Sequence, residues 1–251
     1  MDDITIFFPN PEVKGEIKDP VLIEGLPGIG HIGKLVAEHM IGELKALKIA
    51  TIHSLYFPPQ VLIEENGVVR LVHNEIFHYS SPNGSILFLV GDYQSTSNEG
   101  HYLLADAYLN LAKELGVKRI YTLGGFGVGK MIEEPRVLAA VNNVDLLEEV
   151  LASGAEFEKG VPGGGIIGAA GLLLGLGAMR GIEGICLMGE TSGYIVDPKS
   201  ASSLLRVLSG LLKIEVDSAN LEERAIEMEQ LIERLIEGEK PQSDEELRYI
   251  G

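Results

Sequence analysis

The chain has 251 residues, enough for one large α/β domain, and 45% of them are hydrophobic, enough for a substantial core. It carries 20 Lys and Arg against 37 Asp and Glu, a net charge of −17, so most of its surface would repel nucleic acid. Met1-Asp2-Asp3 has no basic leader region, and the apolar stretch 163–178 is shorter than the ~20 residues that span a bilayer, so we expect a cytoplasmic protein without a membrane partner.

In the first half of the chain, short apolar runs alternate with segments of helical spacing. The predicted strands are Val21–Gly25, Ile49–Tyr56, Val61–Glu65, Val68–His73 and Ser85–Gly91. The predicted helices are 31–47 and Asn98–Leu115. Asn66-Gly67 is a strong type I′ turn signal, so the third and fourth of these strands should form an added hairpin.

The second half continues the alternation. Strands are predicted at Arg119–Leu123 and Gly184–Met188, and helices at 143–152, Gly165–Gly181 and Pro198–Leu212. Repeated β-α-β order is typical of an α/β fold with a mostly parallel sheet covered by helices. We assign this core domain to residues 1–217.

The composition changes near Ser218, where several N-cap residues precede an amphipathic pattern over 218–238. The apolar stripe of this helix consists of Leu221, Ala225, Met228, Leu231, Ile232, Leu235 and Ile236. Such a narrow stripe suits either docking on the chain's own domain or packing against another subunit, and the sequence leaves both open.

Residues 239–251 form a polar, proline-containing segment that should be a flexible tail. It ends in the apolar-aromatic residues Leu247, Tyr249 and Ile250 and the terminal Gly251. The end either frays or acts as a linear motif that docks into a partner, with the terminal carboxylate as an additional contact.

The turn Gly28-x-Gly30-x-x-Gly33 follows a strand and opens a helix, as in dinucleotide-binding proteins. However, the next strand, 49–54, lacks the acidic residue that would bind the ribose. The longer stretch also resembles a phosphate-binding loop, but Leu35 stands where Ser or Thr would hold Mg²⁺. We therefore interpret the turn mainly as a packing device.

Two further glycine-rich turns, 124–130 and 161–168, should lie at the same edge of the sheet. Their amides, with Lys34 or Lys130 as counter-charge, could cradle an anion. The residues of this alternative ligand site are Gly28, Gly30, Gly33, Lys34, Gly125, Gly127 and Lys130.

Asp92, Glu99 and His101 lie near one strand end, where a polar loop and helix cap explains them more simply than an acid/base pair. The six histidines show no metal-binding spacing, and the single cysteine, Cys186, lies in an apolar run where it is either inert or, less in keeping with that setting, a nucleophile. We predict no catalytic residue, no metal and no cofactor.

Several spaced motifs resemble the proteasome assembly chaperone family, in particular its archaeal branch. They are Gly25-Leu26-Pro27-Gly28-Ile29-Gly30 with Gly33, Gly124-Gly125-Phe126, the run Pro162–Gly168, and Tyr194-Ile195-Val196-Asp197-Pro198. The resemblance covers roughly residues 20–235.

The resemblance implies a Rossmann-like core similar to that of nucleoside phosphorylases, without enzymatic activity. It also implies a homo-oligomer that binds the α subunits of the 20S proteasome, assists its assembly or modulates it, and docks through a C-terminal hydrophobic-Tyr-X tail. Here Tyr249 is third from the end rather than second, so the resemblance does not fix the docking register. The competing interpretations are a nucleoside- or nucleotide-binding protein or hydrolase that uses the glycine turns, and a purely structural oligomer.

Overall fold

The structure, a computed structural model, describes residues 2–157 and 165–236, without the side chains of residues 229 and 231–236. Within these residues the strands are β1 (Ile4–Phe7), β2 (Val21–Glu24), β3 (Leu47–Ser54), β4 (Val61–Ile63), β5 (Val69–Leu71), β6 (Asn74–Ser81), β7 (Gly84–Gly91), β8 (Arg119–Gly127), β9 (Val137–Val141) and β10 (Glu183–Thr191). The α-helices are α1 (Ile32–Leu44), α2 (Asn98–Glu114), α3 (Leu147–Ala152), α4 (Ala169–Ala178), α5 (Pro198–Leu212) and α6 (Ala219–Ile236).

Eight strands form one sheet in the order β1-β3-β6-β7-β2-β8-β10-β9. The four strands β7, β2, β8 and β10 at its centre run parallel, which confirms the predicted α/β class with a parallel central sheet. Strands β1, β3 and β6 on one side and β9 on the other are added antiparallel. Strands β1, β6 and β9 were not predicted from the sequence.

The central strands are apolar on both faces because helices cover both. Leu22 and Ile23 of β2, which point in opposite directions, belong to two separate clusters of buried side chains. Helices α1 and α5 contribute to the cluster of Ile23, and helices α2 and α4 contribute to the cluster of Leu22. The result is the three-layer arrangement expected when helices alternate with parallel strands.

The predicted hairpin is confirmed: β4 and β5 pair antiparallel as a separate two-stranded sheet. The predicted two-residue type I′ turn is wrong. Gly67 has a φ of +78°, whereas Asn66 is not in the left-handed region, and the Glu64 amide bonds to the Val68 carbonyl across a three-residue loop. A type I′ turn needs a positive φ at both central residues, so a single left-handed glycine produces the longer loop instead.

Helix α1 lies directly on the backbone of β8 at Gly33. A Cβ atom added to Gly33 would be 2.3 Å from the carbonyl oxygen of Leu123, and one added to Gly25 would be 2.4 Å from the Ala37 Cβ atom. Helix and sheet can approach this closely only because neither glycine has a side chain.

We expect Gly33→Ala to destabilise the protein by about 3 kcal/mol, because the added methyl group would collide with the rigid backbone of β8. The matched control is Gly42→Ala in the same helix, where an added Cβ meets nothing within 4 Å. That change should stabilise the protein by roughly 0.5–1 kcal/mol through helix propensity. Urea unfolding measures both values, and equal midpoints for Gly33→Ala and wild type would contradict the close contact.

Candidate functional site

The glycine turns meet at the carboxyl edge of the central strands, where the order of connections reverses between β2 and β8. The amide of Asp197, after β10, donates to the carbonyl of Gly30, after β2, at 3.0 Å. A Cβ atom on Gly125 of β8 would lie 2.3 Å from the carbonyl oxygen of Ile29. The turns thus contact one another backbone to backbone, and at these points no ligand atom fits between them.

Gly30 and Gly127 of the predicted anion site also lie at packing contacts, whereas Gly28 does not. Gly30 is buried, has a φ of +64°, and would place a Cβ 3.2 Å from the Thr191 hydroxyl oxygen. Gly127, at the end of β8, lies within van der Waals reach of the Ile29 side chain. Gly28 has an extended backbone and open space around its Cα atom. Gly28 is thus the member of this set whose surroundings leave room for a ligand.

Lys34 and Lys130, the two predicted counter-charges, interact with groups at the ends of different strands. The Lys34 ammonium donates to the carbonyl of Gly91 at 2.8 Å and pairs with the Glu38 carboxylate at 2.8 Å. Lys130 acts on Glu190, at the end of β10, where its charge helps to lower the pKa of that carboxyl. Strands β2 and β8 separate the end of β7, where Lys34 binds, from the end of β10. An anion site that uses both lysines stays a prediction.

The side chain of Gln94, which the sequence analysis did not single out, links two of the turns. Its amide nitrogen donates to the Pro27 carbonyl at 2.8 Å, and its oxygen accepts from the Ala169 amide at 3.0 Å. It therefore satisfies the N-terminus of α4 and fastens it to the first turn. Of the predicted turn at 161–168, the structure describes only the part from Gly165 onward.

An ion pair between Arg136 and Glu190, which was not predicted from the sequence, lies at the end of β10. The guanidinium of Arg136 contacts both oxygens of Glu190, with Nη2–Oε1 at 2.5 Å and Nε–Oε2 at 3.0 Å. Arg136 also bonds to Glu156 at 3.1 Å. Hydrogen bonding to the Arg136 guanidinium lowers the pKa of Glu190, so this buried carboxyl stays ionised. The pair fixes the strand end and leaves Glu190 no proton to exchange near neutral pH.

The turns present apolar side chains to solvent. Ile29, Ile167 and Tyr194 are exposed large hydrophobic residues on three different segments of this edge. Exposed apolar groups of this kind suit contact with another protein better than contact with a phosphate.

Glu24 is a carboxyl at the centre of the sheet, 1% exposed, at the end of β2. Its Oε1 accepts from the Leu26 amide at 3.0 Å, and its Oε2 has no hydrogen-bond partner in the described part of the chain. Burial raises the pKa of Glu24 to about 8, although the hydrogen bond from the Leu26 amide opposes the shift. At pH 7 the folded protein therefore holds this carboxyl mainly in its neutral form.

Cys186 lies on β10 and is buried, and burial raises the pKa of its thiol to about 12. A thiol with such a pKa remains protonated near neutral pH, and its burial closes it to substrates. The geometry favours the inert interpretation of this residue.

Helix α6 begins at Ala219, whose amide donates to the Asp217 carboxylate at 2.9 Å. Leu221 is fully buried in the cluster that contains α1 and α5, so the start of the helix docks on its own domain. Met228 is half-buried. The predicted roles of Leu231, Ile232 and Leu235 concern side chains outside the described residues, as do those of the tail residues Leu247, Tyr249, Ile250 and Gly251.

Among residues 2–157 and 165–236, no group of three or more His, Cys, Asp or Glu side chains is placed to hold a metal ion. In that same part of the chain, no helix is both long and apolar enough to cross a membrane.

We expect the buried carboxyl of Glu24 to make stability depend on pH. Between pH 4.5 and about 8 the unfolded chain loses this proton while the folded chain keeps it, so the free energy of unfolding should fall by up to ~1.4 kcal/mol per pH unit as pH rises. Glu24→Gln has no proton to lose, so its stability relative to wild type should increase steadily from pH 5 to pH 8. Urea unfolding at several pH values measures this difference.

The control for that experiment is Glu148→Gln, at an exposed carboxylate in the first turn of α3. Its stability should follow the wild-type pH profile in shape. Parallel profiles for Glu24→Gln and wild type would show that Glu24 does not titrate between the folded and unfolded states.

Solved structures resemble this chain over nearly its whole length. The crystal structure of Pyrococcus furiosus PbaB, an archaeal proteasome activator, is 43% identical, covers 94% of this chain and 100% of that chain, and superposes with a TM-score of 0.87. Pyrococcus furiosus PbaA, an archaeal homologue of proteasome-assembly chaperone, is 25% identical over 94% of this chain and 93% of that chain, with a TM-score of 0.78.

An uncharacterised protein of Methanocaldococcus jannaschii is 42% identical over 244 residues, which are 94% of this chain and 93% of that protein. The family model described as the PAC2 family matches residues 22–236. This match extends from β2 to the end of α6 and includes the glycine turns and Leu221. The chain therefore belongs to the PAC2 family, as its resemblance to the proteasome assembly chaperones predicted.

Proposed function

We propose that this protein is a non-enzymatic adaptor that binds the α ring of the 20S proteasome and assists its assembly or modulates its activity. The observation that carries the proposal is the similarity to PbaB, a proteasome activator, with 43% identity and a TM-score of 0.87. The similarity to PbaA, a homologue of proteasome-assembly chaperone, points to the same partner.

The contacts at the glycine turns support a role without catalysis. Gly30, Gly33 and Gly125 are used in backbone packing, and Lys34 is paired with Glu38. Burial raises the pKa of Glu24 to about 8 and that of Cys186 to about 12. Both side chains are closed to solvent. We infer a cytoplasmic adaptor that needs no cofactor.

We assign ring binding to the C-terminal tail, with Leu247, Tyr249, Ile250 and the terminal carboxylate of Gly251 as the docking residues. A single short tail binds weakly, so we infer that a homo-oligomer presents several tails at once. Linked tails raise the effective concentration of one another, and the combined affinity rises by orders of magnitude when their spacing matches the ring. Helix α6 connects each tail to a core through Leu221.

Deletion of Leu247–Gly251 should abolish binding to the 20S proteasome and leave the fold and the number of subunits unchanged, because the buried core residues in the described part of the chain all lie at or before Leu221. Surface plasmon resonance on immobilised 20S particles measures binding, and light scattering measures mass. The matched control is a full-length chain whose last five residues are scrambled, so that length and net charge are kept. Undiminished capture of 20S particles by the truncated chain would rule out docking through the tail.

Two further measurements separate assembly from activation. An activator should increase peptide hydrolysis by preformed 20S particles, whereas an assembly factor should instead speed the formation of particles from separate α and β subunits. In both assays, the effect of the truncated chain should be at least tenfold smaller than that of wild type, because the loss of several linked tails removes the avidity.

A further inference from the structure

The hairpin β4–β5 has its apolar face turned outward. The register pairs Val61 with Leu71 and Ile63 with Val69, so these four side chains share one face. All four are at least half exposed, with Ile63 at 75% and Val69 at 58%. An amphipathic hairpin normally buries its apolar face and exposes its polar face, so this arrangement is inverted.

The inner face of the hairpin explains why the inversion is stable. Leu62 packs against the buried cluster that contains α2. The guanidinium of Arg70 binds both oxygens of Asp92, at 2.6 and 2.9 Å, and its Nε atom pairs with Glu64 at 3.3 Å. Burial alone would raise the pKa of Asp92, but hydrogen bonding to Arg70 and to the His73 amide and the charge of Arg70 hold it below its usual value, so the pair stays charged. The hairpin is therefore fixed to the core with its apolar side outward.

The apolar surface extends beyond the two strands. Val68 at the loop and Leu55 before the hairpin are also more than half exposed. A groove of about 500 Å³ adjoins the face and is lined in part by Leu55, Pro58, Val61 and Leu71. The six exposed side chains together offer roughly 600 Å² of apolar surface, the upper end of what a monomeric protein leaves in contact with water.

The absence of charge on this face allows a second copy of the chain to cover it. The chain carries a net charge of −17, so two copies repel each other wherever their carboxylates meet. The outward positions Val61, Ile63, Val69 and Leu71 have no charge. Two copies related by a two-fold axis would bury about 1,200 Å² here, the lower limit of a specific interface.

We propose that the outward face of the β4–β5 hairpin is a self-association surface, covered by the same face of a second copy of this chain. This proposal rests on the homo-oligomer of the proposed function and names the surface through which its subunits contact each other. It does not depend on the proteasome, because the particle mass tests it directly.

The decisive variant is Ile63→Lys. Ile63 is largely exposed in the folded chain, so the substitution should leave the fold intact. A lysine also makes the net charge less negative, so general repulsion cannot account for dissociation. We expect the particle mass by light scattering to fall at least twofold, to 27.1 kDa if this is the sole contact.

The matched control is Val144→Lys, which changes the charge equally at another highly exposed apolar residue. Val144 follows β9, the edge strand opposite to β1 and β3, and its variant should keep the wild-type mass. A wild-type chain of monomer mass, or equal masses for Ile63→Lys and wild type, would overturn the proposal.

Cross-linking provides a test that does not require the complex to dissociate. Because Cys186 is buried, Ile63→Cys would carry one accessible thiol per chain. A short bis-maleimide should join two chains into a species of twice the mass in the Ile63→Cys variant and at least tenfold less in Val144→Cys. Equal yields in both would count against the hairpin. An unchanged mass for Ile63→Lys together with loss of 20S binding would also count against the hairpin, because the face would then bind the proteasome ring rather than a second copy.

Discussion

The contact on which the rest of the structure depends is the backbone-to-backbone packing of α1 and its preceding turn against β8. It requires glycine at Gly33 and Gly125, where any Cβ atom would collide with a carbonyl oxygen 2.3 Å away. This contact brings the ends of β2, β8 and β10 together at the switch point of the sheet. At Gly33 and Gly125, in turns that resemble nucleotide loops in sequence, the absence of a side chain thus serves backbone packing.

The centre of the fold could be predicted because β2, β7, β8 and β10 are apolar runs buried on both faces, and helical spacing separates them. The missed strands give a weaker signal. In β6 the buried positions include Asn74 and His78, whose polar groups are satisfied by Tyr108 and Ser85 from other segments. Sequence alone does not show such partners. Strand β1, at the edge, has only four residues, too few for a clear period.

The site was less predictable than the fold. Gln94 connects Pro27 to Ala169, residues far apart in the chain, and nothing in the local sequence marks it. Glu24 did leave a signal: it is a single carboxylate at the end of an apolar strand that leads into the first glycine turn. The outward hairpin shows the limit of patterning, because alternation identifies two faces of a strand but not which one meets solvent. Arg70 and Asp92 decide that here.

The anchoring of α6 has a mechanical consequence. Its 18 residues form a rod about 27 Å long. Among its described side chains, Leu221 in the first turn is fully buried, and Ala225 and Met228 further along are half-buried. Leu221 lies about 22 Å from the end of the helix at Ile236, so a tilt of about 10° around Leu221 would shift that end by roughly 4 Å. Small changes in the packing around Leu221 would therefore change the position from which residues 237–251 continue.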